Sequence, residues 1–500
     1  MPEYTNEYLQ SMTLPVLLII ITAIALFVTL LNGLVLNKTR HWILSFLQSF
    51  SGVFFLFSGF VKAIDPLGTS YKMVDYFNAF SKHLAGTPLE FLDGLWNALA
   101  SQGDAVAIVT IVLELVVGFM ILIGSRKKLV AWVFLILVVF FTLLTGFTYL
   151  TGYVPPDATF FEFGKWGDWV EGQMEVSDCG CFGDFLKLDP LTSFIKDLFL
   201  LIPAVVFVLF YRRMYDWWTP QIRAIATVVF AVLMTAFAIY NSTMNLPMFD
   251  FRPFKVGVDV RTTKELEEQA MSEIQVLGYK LKNTLTGEVK EVTMDEFLRD
   301  FKLYPKSEWE YEQIKTEPTM EPTKISDFII TGVDNSDLAA TMLDDPKFNL
   351  WVISPVVNPV SSETITETTV RTDTVEMETD TGINTVISQV PVERTRVEYE
   401  WSPSIIERYQ NKVIPALQAM AESGYQTYVA VGGAGQEAVM DFNEKLGGNL
   451  HIGTADEILL KTIIRSNPGF LLVRDGVIIE KWHYNTFSVD KLKQVIKTHE

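Results

Sequence analysis

Residues 13–36, TLPVLLIIITAIALFVTLLNGLVL, run for 24 positions without a charge. At about 1.5 Å of rise per residue, such a run crosses a hydrocarbon core of about 30 Å. Lipid offers backbone amides no partner, so a segment of this kind has to be helical. A signal peptide is the weaker reading, because Glu3 and Glu7 precede the run without Lys or Arg and no A-x-A-like site follows. Further spans are expected at about 42–64, 104–124, 129–152, 192–211 and 219–243, six in all.

Orientation follows from the short loops, since Lys and Arg gather on the cytoplasmic side. Lys38 and Arg40, then Arg126, Lys127 and Lys128, then Arg212 and Arg213 fall in three tight loops that alternate without exception. The long loops at about 65–103 and 153–191, the N-terminus and residues 245–500 are then expected on the other face. In a bacterium this is the periplasm, an oxidising compartment. The sequence therefore predicts a multi-pass protein of the inner membrane with membrane lipid around it.

The remaining length is of different composition. Residues 245–500 hold 26 Lys and Arg against 41 Asp and Glu, net −15 of the chain's −19. An acidic body of this kind argues against nucleic acid as a partner and against docking on anionic lipid heads, which both need a basic surface.

Charges inside spans are costly and carry information. Glu114, in V-L-E-L-V-V-G, lies mid-span and is expected either to bond a neighbouring helix or to handle protons. Lys196 and Asp197 sit near the outer end of the fifth span, where a local ion pair is favoured over a catalytic role. Lys62 and Asp65 close the second span in S-G-F-V-K-A-I-D-P-L-G; the Lys is expected to snorkel outward and Asp-Pro to stop the helix.

The strongest chemical signal is D-C-G-C-F-G-D, residues 178–184, which holds both cysteines of the chain, Cys179 and Cys181. A Cys-Gly-Cys ring is small and strained, which suits thiol–disulfide exchange. As a staple it would remove little chain entropy. The alternatives are a passive strained disulfide, two unpaired thiols and half of a metal site. Metal is the least favoured, because none of the five histidines has ligand spacing to the cysteines. Asp178 and Asp184 would raise a thiol pKa, whereas a nearby Lys187 or Lys196 would lower it.

The run F-T-L-L-T-G-F-T-Y-L-T-G, the D-C-G-C-F-G-D motif, S-G-F-V-K-A-I-D-P-L-G and L-E-L-V-V-G together resemble the DoxX/MauE group of membrane proteins over roughly residues 42–211. With N-L-P-M-F-D-F-R-P-F-K-V-G after the last span, the whole chain looks like the long DoxX-type proteins of Bacteroidota. The resemblance implies a four-helix membrane core and redox work: disulfide formation for a periplasmic dehydrogenase in one branch, thiosulfate or quinone-linked oxidoreduction in the other. Cys179 and Cys181 would match the cysteine motif, while Glu114, Lys62 and Asp65 match helix signatures without an assigned role. The first and last spans and the C-terminal body depart from the minimal family, so substrate does not transfer.

The chain divides, on this reading, into an extra span at 1–41, the membrane core at 42–211, a sixth span at 212–244, a linker with a small β-rich segment at 245–335, and an α/β domain at 336–500. In the β-rich segment a short helix at 264–275 and a hairpin turning at Thr286-Gly287 are expected. The last domain reads as strand 348–354, a helix at about 403–422 kinked by Pro415, strand 426–431, helix 436–446, strand 449–452, helix 455–465, a hairpin at 470–482 turning at Asp475-Gly476, and helix 488–498. This order resembles the thioredoxin fold, with Asn467 and Pro468 at the place of that family's groove-shaping cis-proline. Its Cys-x-x-Cys is replaced by S-P-V-V-N-P and an insertion at 361–400, so the domain cannot exchange disulfides itself. The insertion alternates β-branched and polar residues about D-T-G, the pattern of a long hairpin, with a disordered loop as the second choice. V-G-G-A-G-Q-E at 431–437 is read as a strand-to-helix turn, not a phosphate cradle.

Three functions stand against one another. The first is a membrane thiol–disulfide oxidoreductase using Cys179 and Cys181, with a quinone or a partner thiol taking the electrons. The second is a non-enzymatic envelope scaffold whose cysteine-free domain binds a periplasmic protein. The third, a solute transporter, has only Glu114 behind it. No resident cofactor or metal is called for, and oligomeric state is left open.

Overall fold

The computed structural model describes residues 13–176, 180–320, 322–379 and 382–500. Cys179 and Asp178, and the Asp380-Thr381 step of the expected hairpin turn, lie outside these residues. The chain forms two compact units, residues 1–251 and 252–500.

In the first unit, α1 (Leu14–Leu30, extended by a π-helical turn to Val35), α2 (Trp42–Ile64), α3 (Pro66–Leu84), α4 (Asp93–Ser101), α5 (Gly103–Ile123), α6 (Lys127–Thr151), α7 (Pro190–Phe210) and α8 (Pro220–Ile239, extended to Met244) follow in order. Six of them, α1, α2 and α5 to α8, are long and apolar enough to cross a membrane, the architecture of a multi-pass membrane protein. Their outward faces remain apolar, as at Phe27, Ile136, Phe199 and Val228, because lipid takes the place of a protein neighbour. The buried core runs through Phe54, Phe55, Phe134 and Phe207 on α2, α6 and α7.

Residues 65–103 are not the open loop expected from the sequence. They fold into α3 and α4, and α3 packs on α5. The Asp-Pro pair read as a stop does end α2, but Asp65 also accepts a hydrogen bond from Gly68 N at 3.2 Å and Pro66 occupies the first turn of α3. Proline is compatible with that position, where its missing N–H has no intrahelical partner to lose.

The second unit opens with α9 (Val260–Ser272), which starts four residues earlier than expected because the Asp259 side chain caps Thr262 N. Strands β1 (Val276–Asn283) and β2 (Val289–Thr293) make the expected antiparallel hairpin. After α10 (Met294–Asp300), β3 (Trp309–Lys315) pairs with the other edge of β1. Then come β4 (Thr331–Gly332), α11 (Leu338–Asp344), β5 (Phe348–Ser354), β6 (Ser361–Thr379), β7 (Gly382–Glu400), α12 (Pro403–Arg408), α13 (Ile414–Glu422), β8 (Gln426–Val431), α14 (Gln436–Lys445), β9 (His451–Thr454), α15 (Glu457–Ile463), β10 (Gly469–Arg474), β11 (Val477–His483) and α16 (Val489–His499).

Six of these strands form one mixed sheet in the order β11-β10-β5-β8-β9-β4. The β5–β8 and β8–β9 pairs are parallel and the other three antiparallel. All seven residues of β5 are buried, as expected of a mostly apolar strand at the centre of a covered sheet; its two polar members, Asn349 and Ser354, lie near its ends. A π-helical turn at Tyr409–Val413 separates α12 from α13, where Pro415 cannot donate its N–H to the preceding turn. The β10–β11 turn uses Asp475 and Gly476 at φ 52° and 77°, the left-handed pair a two-residue hairpin needs. The 361–400 insertion is a two-stranded ribbon, β6 against β7 in unbroken register from Ser361↔Glu400 to Thr379↔Gly382.

Candidate functional site

Three glycines let α2 and α5 cross in close contact. A Cβ on Gly118 would stand 2.9 Å from Leu56 N, one on Gly52 3.1 Å from Gly118 O, and one on Gly59 2.8 Å from Leu115 Cγ. Small residues allow membrane helices to approach backbone to backbone. Beyond this crossing Lys62 and Glu114 meet, Nζ to Oε2 at 2.7 Å, with side chains 8% and 3% exposed. Lys62 therefore does not snorkel outward: a carboxylate on the neighbouring helix and the ring of Phe141, 5.0 Å away, hold its ammonium inside. Glu114 makes the inter-helix bond that was one of its two expected roles.

On α7, Lys196 Nζ donates to Asp197 Oδ1 at 2.5 Å, and Thr145 Oγ1 on α6 donates to Asp197 Oδ2 at 3.0 Å. Both pairs border one internal cavity of about 50 Å³, shared by α2, α3, α5, α6 and α7 and closed by Gly180 and Cys181. Three cations (Lys62, Lys196 and Lys72 of α3), two carboxylates and a thiol, drawn from segments far apart in sequence, thus face the same small space. A polar cavity of this size has room for a few waters.

The cysteine loop reaches the cavity by specific contacts. Ser58 Oγ donates to Cys181 O at 2.9 Å, and the buried Phe182 ring meets Phe54 edge-on at 5.7 Å. Gly180 has φ 59°, a left-handed conformation that costs glycine little. Upstream, Glu175 pairs with Lys82 at 2.5 Å and His83 Nε2 at 3.3 Å on α3. The His83 bond, aided by Lys82, pushes the Glu175 carboxyl down to about 2. Burial pushes the Cys181 thiol up, and the nearby Lys196 ammonium works against that rise more than any other charge. Of the two lysines considered from the sequence, Lys196 is thus the one in position to favour the thiolate. Asp65 stands apart in function as the α3 cap described above.

A second, apolar pocket of about 540 Å³ lies between α1, α2 and α7, lined by Leu14, Phe46, Phe50 and Phe199 among others. Phe54, Lys196 and Leu200 border both it and the polar cavity.

Sequence reasoning missed the hydroxyls of this site. Ser58 and Thr145 are buried, and Ser193 acts on the Cys181 thiol. Their signal was present: Thr142, Thr145, Thr148 and Thr151 recur every third residue along α6, and all four are buried.

In the second unit the Asn467–Pro468 bond is cis. Asn467 Nδ2 donates to Val356 O at 2.6 Å, and Arg408 Nη1 on α12 donates to Asn467 O at 2.6 Å. The two residues therefore sit where the end of β5, α12 and the start of β10 converge. His483 beside them is pushed down to about 4 by burial and by Arg408. The 431–437 glycines make the β8-to-α14 turn, with Gly432 N bonded to Ser354 O at 3.0 Å.

Among the described residues no three His, Cys, Asp or Glu side chains converge as a metal site. The chain matches no protein-family model, no curated protein and no solved structure.

Proposed function

We propose that this is a DoxX/MauE-like membrane thiol–disulfide protein in which Cys179 and Cys181 cycle between dithiol and disulfide. The observation that carries the reading is Cys181 at the rim of a buried cavity, with the Lys196 ammonium acting on its thiol. Closing the S–S bond releases two electrons and two protons. A quinone supplies the matching two-electron, two-proton acceptor chemistry, and the apolar pocket sharing Lys196 with the cavity suits a lipid-soluble molecule of that kind. On the protein side, Lys196 favours the attacking thiolate, Asp197, itself bonded by Thr145, holds Lys196 in place, and the Lys62–Glu114 pair and Lys72 line the same cavity.

The basic turns between α1 and α2, α5 and α6, and α7 and α8 support an inner-membrane setting with the cysteine loop and the C-terminal unit periplasmic. The C-terminal unit is read as a cysteine-free thioredoxin-like domain. Support comes from its succession of strand, kinked helix, parallel strand, helix, then antiparallel hairpin and last helix. Its role on this reading is to hold a periplasmic protein partner.

The test is thiol trapping in intact cells with a polyethylene-glycol maleimide, before and after reductant. A disulfide fraction that responds to quinone depletion, with Cys181→Ser abolishing complementation, is the expected result; thiols that stay free under all conditions would sink the assignment. The envelope-scaffold reading has one observation of its own, the ribbon β6–β7 on a domain without cysteine. It gains if deletion of 361–400 loses co-purified partners while cysteine variants stay active.

A further inference from the structure

A cleft of about 960 Å³ opens at the end of the membrane unit away from the cysteine loop, between the α5–α6 turn, the end of α7 and the start of α8. Five cations line it, Arg126, Lys127, Lys128, Arg212 and Arg223, against one carboxylate, Asp216. That carboxylate is already engaged, by Lys127 at 2.7 Å and Arg223 at 3.0 Å. Arg126 and Lys128 are exposed and have no acidic partner among the described residues. Two helices begin at the cleft, α6 after Arg126 and α8 after Thr219, and neither start has a side-chain cap. Uncapped first-turn N–H groups carry partial positive charge, and they add to the same field.

The floor of the cleft is rigidly built. Gln48 Nε2 donates to Ile121 O at 2.8 Å and to Tyr215 O at 3.1 Å, while its Oε1 accepts from Tyr215 N at 3.0 Å. Trp217 Nε1 donates to Asn32 Oδ1 at 2.6 Å, and Lys127 Nζ to Met214 O at 2.6 Å. The 214–216 segment lies so close to the α5–α6 turn that a Cβ on Gly124 would stand 2.2 Å from Tyr215 O. The 214–217 loop between Arg212 and Arg223 is thus tied to α1, α2 and α5, and Lys127 bonds to it directly.

One wall is apolar. Leu129 and Trp132 line the cleft about half exposed, and the outward faces of α6 and α8 continue from it through Ile136, Ile225 and Val228. A ligand that fits both halves has an anionic head and an aliphatic body.

We propose that this cleft binds an anionic glycerophospholipid, its phosphate between Arg126, Lys128 and Arg212 and its acyl chains along α6 and α8. Basic pockets between membrane helices are suited to such heads. The acidity of the C-terminal unit does not bear on this site, whose charge is local. The inference is independent of the thiol chemistry.

The test uses the full chain, purified and delipidated in a neutral detergent, with thermal unfolding followed on adding phosphatidylglycerol, phosphatidylcholine or inorganic phosphate. Phosphatidylglycerol is expected to raise the midpoint by several degrees and the other two to leave it unchanged. An Arg126→Gln, Lys128→Gln, Arg212→Gln variant, altered only at exposed positions, should keep the lipid-free midpoint and bind phosphatidylglycerol at least tenfold more weakly by native mass spectrometry. Equal stabilisation by phosphatidylcholine would overturn the proposal, as would stabilisation by phosphate alone, which would mark a soluble-anion site. Undiminished phosphatidylglycerol binding by the triple variant, or by Lys128→Gln and Arg212→Gln singly should the triple variant not fold, would do the same.

Discussion

Removing Glu114 while leaving Lys62 in place tests whether the membrane core rests on a coupled pair. The two charges lie 2.7 Å apart and are almost wholly out of solvent. At an effective dielectric constant of about 20 their gross attraction is roughly 6 kcal/mol, most of which offsets the loss of hydration. Glu114→Leu strands the Lys62 ammonium against Phe141, so the expected loss is about 3–5 kcal/mol. Lys62→Met should cost a similar amount by stranding the carboxylate. The double variant Lys62→Met, Glu114→Leu removes both charges and should fall within about 1–2 kcal/mol of the parent, since an apolar pair of similar volume often replaces a buried ion pair without loss. Equilibrium unfolding of the purified chain in mixed micelles, run as a double-mutant cycle, gives the coupling directly. If the two single losses simply add in the double variant, the pair is not coupled and the account of the α2–α5 contact fails.

Gly118→Val should lower stability by about 1–3 kcal/mol, because its Cβ meets the backbone of Leu56 at 2.9 Å; an unchanged midpoint would show that the helices are free to separate. Glu175 has its carboxyl depressed to about 2 by His83 and Lys82, so the stability it contributes is complete above its unfolded value of about 4.5 and is lost as pH falls towards 2. Hydrogen-exchange protection of the 150–176 segment, relative to the intrinsic rate at each pH, should therefore fall across that window in the parent and be flat in Glu175→Gln. His483 is depressed to about 4, so the unfolded chain takes up a proton first and the C-terminal unit should lose stability from about pH 6.5 down to about 4, levelling off below. His483→Gln should remove that slope, as read by the unfolding midpoint against pH.

The spans were legible because lipid imposes one condition, about 20 apolar residues in a helix, and six stretches meet it. The strands of the second unit were legible for a related reason: β5 and β8 each centre on a run of β-branched, aromatic and other apolar residues, and Asp475-Gly476 names its own turn. The helices α3 and α4 were not, since their sequence is polar enough to read as loop, and Asp65-Pro66 signals a stop and a start with the same two residues. The site was legible as a set of unusual residues but not as a place. Glu114 and Lys62 are 52 positions apart, and only the glycine-mediated crossing makes them neighbours. Lys62 shows the limit clearly: its position at a helix end predicts snorkelling, and a partner on another helix reverses that. The cavity that joins both ion pairs to Cys181 depends on five helices at once, which no local pattern encodes.

The ribbon β6–β7 leaves the C-terminal unit and returns to it at a single point. Ser361 pairs with Glu400, and Val360 N donates to Glu400 O at 2.7 Å. Neither ribbon strand belongs to the six-stranded sheet, which needs only that Val360 and Trp401 be joined, so the sheet sets no limit on how far the ribbon extends. Each strand is 19 residues long, about 65 Å of reach at roughly 3.4 Å per residue. The ribbon can therefore be lengthened or shortened without disturbing the sheet beneath it. The pleat imposes the one rule on such changes: matched steps of two residues in each strand, since a single step turns every distal side chain to the opposite face.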